Sequence, residues 1–264
     1  MELDRISTCT YPLREKPLEE ALKTLANCGF TRVDLWGRPP HFSADPAELA
    51  PRAIEAAAEA AGVAIANLGS YPGADFASDS EEARAKDLDE MKATIDLAVR
   101  LGARSIRVRP GTGEDPAILD RIVPLFQESA RYAGPRGIYL GMENHKGSLA
   151  GIPDVVVQLC EAVGSPHFGI LYEPCNLLHG GVDYKEAFEA FAPWIVHIHV
   201  KDGRRADGGF QATHLGEGEI DYPWVVENLE AISYEGDYAL EYEICEIEAI
   251  ETGLPRWLEY FRSL

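Results

Sequence analysis

Four apolar stretches in the second half of the chain each end on residues able to bind a cation or move a proton. In 137–144, GIYLGMEN, Ile138, Leu140 and Met142 alternate on one face and Glu143 ends the other. In 167–174, HFGILYEP, Phe168, Ile170 and Tyr172 share a face and Glu173 ends the opposite one. In 194–202, WIVHIHVKD, Val196, Ile198 and Val200 oppose His197 and His199. In 237–243, DYALEYE, Tyr238, Leu240 and Tyr242 oppose Glu241. The period of two marks each as a strand with one apolar and one polar face. Three carboxylates and an imidazole aimed into one space would leave buried charge uncompensated, and a divalent cation compensates it directly. Oxygen donors with one histidine suit Mn²⁺ first, then Mg²⁺ or Co²⁺, with Zn²⁺ as a further option. One such ion per chain is expected.

The elements that must position these residues recur as a unit of amphipathic helix, glycine and short apolar strand. Leu18, Ala21, Leu22, Leu25 and Ala26 follow helical spacing, and Gly29 stops that helix. An alanine-rich helix over 47–61 is closed by Gly62, and the stripe Leu88, Met91, Ile95 and Val99 by Gly102. Gly134 and Gly164 are expected to end two later helices, as glycine does just past a helix end. Asp45-Pro46 and Asp115-Pro116 read as helix starts, with an acidic cap before a first-turn proline. Strands are expected near 4–9, 31–36, 63–68, 104–109, 137–143, 168–173, 195–200 and 237–242. Eight strands alternating with helices call for parallel pairing through right-handed crossovers, and eight is the number that closes a barrel. The expected fold is an α/β (β/α)₈ TIM barrel, one domain over 1–264. Its chemistry would sit at the C-terminal strand ends. No GxGxxG or GxxxxGK[ST] follows any strand, so the nucleotide signatures of open sheets are missing.

The 264 residues match the roughly 250 that such a barrel takes. Apolar residues make up 46% and charged ones 26%, an ordinary globular balance. The net charge of −20 repels phosphate backbones and anionic membranes, so neither nucleic acid nor membrane is an expected partner. The five cysteines, Cys9, Cys28, Cys160, Cys175 and Cys245, are odd in number and unclustered, which reads as reduced thiols. The start MELDRISTCTYPL carries acids where a signal peptide needs bases, and a cytoplasmic protein is expected.

The strings LGMENH, YEPCNL, HIHVKDG, LGEGEIDYP and ALEYE, in strand order, resemble the xylose-isomerase-like barrel superfamily of sugar isomerases and epimerases, cyclitol and dehydroshikimate dehydratases and abasic-site endonucleases. The resemblance runs along nearly the whole chain. It implies metal ligands at Glu143, Glu173, His199 and Glu241, with Glu173 standing where the family usually has Asp. It also implies that Glu143 and Glu241 exchange protons with substrate. The expected activity is a divalent-metal-dependent isomerase or epimerase of a keto-sugar or related polyol. A proton next to a metal-bound carbonyl is removed and returned through an enediolate. The alternative is a dehydratase, or lyase, acting on a keto-cyclitol (inosose) or 3-dehydroshikimate type of ring. Hydrolysis at abasic DNA is opposed by the charge of −20. A non-catalytic metal- or sugar-binding barrel is the remaining reading.

Other residues join the site by position. Arg107 and Arg109 alternate with Ile106 and Val108 and should face the barrel axis, paired either to Glu143 or to an anionic substrate group. His145 lies just beyond Glu143. It is either a substrate contact, the base of dehydratase relatives by resemblance, or a loop histidine bonded to backbone. Asn176 stands where epimerase relatives carry a substrate-contacting histidine. Lys201 and Asp202 follow His199 and could orient substrate. His197 lies one layer deeper and supports rather than ligates. Trp36, beside Asp34, either walls the pocket or closes the barrel. Cys175 reads as packing. The loop from His214 through Gly216-Glu217-Gly218 could cover the pocket. Trp257, Tyr260 and Phe261 either pack on the barrel or form a homo-oligomer face. A small carbohydrate is the expected partner.

Overall fold

The computed structural model describes residues 5–264. Eight parallel strands close in the spatial order β1 (Ile6–Cys9), β10 (Tyr238–Leu240), β7 (Ile195–Val200), β6 (Phe168–Tyr172), β5 (Tyr139–Glu143), β4 (Ser105–Val108), β3 (Ala64–Gly69) and β2 (Arg32–Trp36). This is a (β/α)₈ barrel. Each expected strand is present within two residues of its expected end, apart from Asp4, which lies outside the described residues. The helices α1 (Leu18–Asn27), α2 (Pro51–Ala61), α3 (Glu81–Leu101), α4 (Leu119–Ala133), α5 (Pro153–Val163), α6 (Pro174–His179), α7 (Tyr184–Phe191) and α8 (Tyr222–Ala231) fill the crossovers, and α9 (Ile250–Arg262) follows the last strand.

The apolar core lies between strands and helices. Leu18, Ala21, Leu22 and Leu25 of α1 bury the face that their spacing specifies. Gly62 and Gly102 stop α2 and α3 in the left-handed region, at φ 68° and 73°, where a Cβ would be strained. Three details depart from the sequence reading. The buried face of α3 runs through Met91, Ile95 and Ala98, and Val99 is exposed. Gly134 does follow the last residue of α4, but it stays right-handed and leads into a 3₁₀ turn over Gly134–Arg136, which Gly137 ends at φ 72°. Asp45 caps only a turn, through Ala47 N–H, and α2 begins later at Pro51.

In α9, Trp257 and Phe261 are buried against the barrel and Tyr260 is partly buried. A second small sheet was not foreseen. Strands β8 (Asp202–Ala206) and β9 (Gly209–Thr213) form an antiparallel hairpin directly after β7, above the barrel mouth. No helix among the described residues is long and apolar enough to cross a membrane.

Asp87 on α3 accepts hydrogen bonds from the backbone of Gly73 and Asp75, anchoring the turn that follows β3. Burial pushes its carboxyl up to about 6, against those bonds. The folded chain therefore holds this proton more tightly than the unfolded chain does. Stability from this group is present below pH 3.8 and falls as pH rises towards about 6, by roughly 3 kcal/mol in all. The difference in unfolding free energy between wild type and Asp87→Asn should fall between pH 4 and 7 in urea titrations. A pH-independent difference would contradict this.

Candidate functional site

The mouth at the C-terminal strand ends holds a cavity of about 480 Å³. Glu143 closes β5, His199 sits one residue before the end of β7, and Glu241 follows β10. Each strand aims its polar face at the axis, so the three side chains meet. His199 Nδ1 lies 3.1 Å from Glu143 Oε1 and 3.7 Å from Glu241 Oε2. The three donor atoms fall within 4.8 Å of one another. Two carboxylates and an imidazole suit a hard or borderline divalent cation, and the cavity leaves room for further ligands. These residues fit the expected metal.

Electrostatics qualify the argument from charge alone. Arg107 on β4 donates to Glu143 Oε2 at 2.9 Å and to the carbonyls of Gly69 and Ser70, and lies over the Tyr71 ring. Burial by itself would push Glu143 up, yet Arg107 and His199 hold its carboxyl well below the usual carboxylate range. Lys201 Nζ lies 2.7 Å from Glu241 Oε2, 2.8 Å from Glu243 Oε2 and 3.3 Å from Glu173 Oε2. The protein thus supplies two cations of its own among these acids. The donors converge on one point, while Arg107 and Lys201 already offset much of the negative charge.

Glu173 is the expected ligand that the structure does not bring to that point. β6 ends at Tyr172, and Glu173 becomes the N-cap of α6, accepting from Cys175 N–H at 2.8 Å and Asn176 N–H at 3.1 Å. The longer glutamate curls back onto its own helix, as a capping side chain does. Burial pushes it up to about 8, against the pull of Lys201.

The other expected residues divide. His145, Asn176, Lys201 and Arg107 all line the cavity. His145 is exposed, with Nδ1 against the Lys146 carbonyl. Asn176 Nδ2 donates to the Asn144 carbonyl. Arg109 lies just past the end of β4, exposed at the rim rather than on the axis. Trp36 lines the cavity and donates to Tyr71 Oη at 3.1 Å. Asp202 lines it too, but its carboxylate is taken by the backbone N–H groups of Gly203, Gly216, Gly218 and Ile220, which pins the 214–220 loop. His214 accepts from Trp257 Nε1 instead of closing over the pocket. Cys175 is buried at the cavity wall.

His197 lies beneath His199 as expected, but its bonding to Asp34, and the layer that Asp34 forms with Ser7, Asn67 and Ser105, went unread in the sequence. Asp34 on β2 is buried, bonded to His197 Nε2 at 2.7 Å, Ser7 Oγ at 3.0 Å and Asn67 Nδ2 at 3.0 Å. Ser105 Oγ donates to Asn67 Oδ1 and extends the layer to β4. Burial opposes charge on His199, yet Cys9, Glu241 and Asp34 around it hold its pKa well above the ordinary histidine value. The available signal was polar residues at inward positions of four successive strands.

Comparison with known proteins agrees with this architecture. A fructoselysine 3-epimerase of Shigella flexneri is 23% identical over 275 residues, covering 97% of this chain and 96% of that protein. An uncharacterized protein of Methanocaldococcus jannaschii is 26% identical over 178 residues, covering 62% of this chain. The chain spans only 59% of that relative's length. A xylose isomerase-like TIM barrel protein from Mycobacterium smegmatis, solved in complex with magnesium, superposes with a TM-score of 0.81 at 18% identity, covering 98% of this chain and 97% of that one. At that identity the likeness speaks for the fold. A family model described as xylose isomerase-like TIM barrel matches residues 22–264, and the chain belongs to that family.

Proposed function

We propose that this protein is a divalent-metal-dependent isomerase or epimerase of a keto-sugar or related polyol. The observation that carries the reading is the meeting of Glu143, His199 and Glu241, from three separate strands, within the cavity. The name of the Shigella flexneri relative supports the sugar-epimerase class, and the magnesium in the Mycobacterium smegmatis structure supports a divalent cation. Mn²⁺ is the proposed ion, with Mg²⁺, Co²⁺ and Zn²⁺ as alternatives.

A divalent cation at this cluster supplies a Lewis acid that draws electrons from a substrate carbonyl and acidifies the neighbouring C–H. The protein's residues do the rest. Glu143 and Glu241 exchange that proton with the substrate carbon, one removing and one returning it. Arg107 fixes the Glu143 carboxylate by holding Oε2, which leaves Oε1 towards His199. Lys201 holds Glu241 by Oε2, the oxygen that also faces His199 Nδ1 at 3.7 Å. Trp36 and Tyr71 give the cavity an aromatic wall against which a sugar ring can lie.

The test is a panel of keto-sugars and polyols incubated in D₂O with Mn²⁺-supplied protein. Deuterium beside the carbonyl together with an epimer or isomer is the expected result. Loss of water from a substrate would assign the site to a dehydratase instead, and no exchange with any member of the panel would contradict the proposal.

A further inference from the structure

His199 offers two nitrogens, and only Nδ1 faces Glu143 and Glu241. Nε2 faces the other way, 3.5 Å from Asp34 Oδ2 and 3.9 Å from Cys9 Sγ. All three donors belong to buried residues on the cavity wall, and their ligand atoms lie within 4.8 Å of one another. A well-formed N–H···O bond is about 2.7–3.2 Å long, so the Nε2 contact to Asp34 is slack as a hydrogen bond, and the contact to sulfur is a long one. As edges of a coordination polyhedron the first is to size and the second a few tenths of an ångström long. A tetrahedral ion bonded to sulfur at about 2.3 Å and to nitrogen or oxygen at about 2.0–2.2 Å sets its donors roughly 3.3–3.6 Å apart. Asp34 is held in place for such a role. His197 and Asn67 donate to Oδ2 and Ser7 to Oδ1, which fixes the orientation of the carboxylate beside His199.

We propose that Cys9, Asp34 and His199 Nε2 form a second cation site, on the thiol side of His199, for a soft or borderline divalent ion of the Zn²⁺ or Cd²⁺ class. The thiolate sets the preference, since sulfur favours such ions and the carboxylate-rich face favours harder ones. Binding releases the Cys9 thiol proton and the Nε2 proton to solvent. A neutral imidazole has one lone pair, so an ion on Nε2 leaves the remaining ring proton on Nδ1, facing Glu143 Oε1. The two sites therefore oppose each other through His199. A soft ion on the thiol side withdraws the imidazole from the carboxylate side.

Metal-stripped protein titrated with Cd²⁺ tests this through the ultraviolet thiolate-to-cadmium charge-transfer band, a signal that needs no substrate. Wild type should show the band with one Cd²⁺ per thiolate site. Cys9→Ser and Cys9→Ala should abolish it, and Cys175→Ser and Cys245→Ser should keep it, with near-ultraviolet circular dichroism confirming native packing in each. Glu143→Gln/Glu241→Gln should keep it as well, so this site stands or falls apart from the carboxylate site. Excess Mn²⁺ should raise the Cd²⁺ needed for half-saturation several-fold in wild type. No band in wild type would overturn the proposal. So would a band that survives loss of Cys9, or one that disappears with the two glutamates.

Discussion

Glu143→Gln and Glu241→Gln should each lower turnover by about 10²–10⁴-fold on any keto-sugar that exchanges its proton in D₂O, the range for a positioned acid or base. Gln keeps the shape of either side chain and removes both its charge and its proton affinity. The two losses should not multiply. The residues share His199, at 3.1 and 3.7 Å from its Nδ1, and act on one proton, so the double variant should be little worse than the poorer single one. Steady-state rates with saturating Mn²⁺ check this. Near-normal activity in both single variants would remove the two glutamates from the chemistry.

Arg107→Met should destabilise the fold by about 3–5 kcal/mol, because it takes the guanidinium from a nearly buried ion pair and leaves the Glu143 carboxylate to His199 alone. The pair is nearly out of solvent, with side-chain exposures of 13% and 12%. Arg107 also satisfies the Gly69 and Ser70 carbonyls and lies 4.3 Å over Tyr71. Adding Glu143→Gln to Arg107→Met should restore a large part of the loss, since the stranded charge is then gone. A double-mutant cycle by denaturant unfolding reads the coupling directly. If Arg107→Met unfolds within about 1 kcal/mol of wild type, Arg107 is not the electrostatic partner of Glu143 in solution.

The barrel was legible because its units are written locally. Gly62 and Gly102 stop helices, and alternation in GIYLGMEN and WIVHIHVKD fixes which side chains reach the axis. That alternation places Glu143 and His199 while the chain is still a strand. It loses its force where the strand ends. β6 stops at Tyr172, so the position of the Glu173 carboxylate is decided by the free N–H groups of α6 instead. The β8–β9 hairpin was hidden in a polar stretch, although Asp207-Gly208-Gly209 is a turn signature and Gly208 takes φ 99°. The layer around Asp34 was hidden for another reason. Ser7, Asp34, Asn67 and Ser105 lie far apart in sequence, and only closure of the barrel makes them neighbours.

Elemental analysis of purified wild-type protein beside the Glu143→Gln/Glu241→Gln variant, both dialysed against Mn²⁺, tests metal ligation at the cavity most directly. The expected result is one Mn²⁺ per wild-type chain and its loss in the variant. Wild type that retains no ion from Mn²⁺, Co²⁺ or Zn²⁺, or a variant that retains as much as wild type, would contradict it, and Arg107, Lys201 and protonated His199 would then balance these carboxylates.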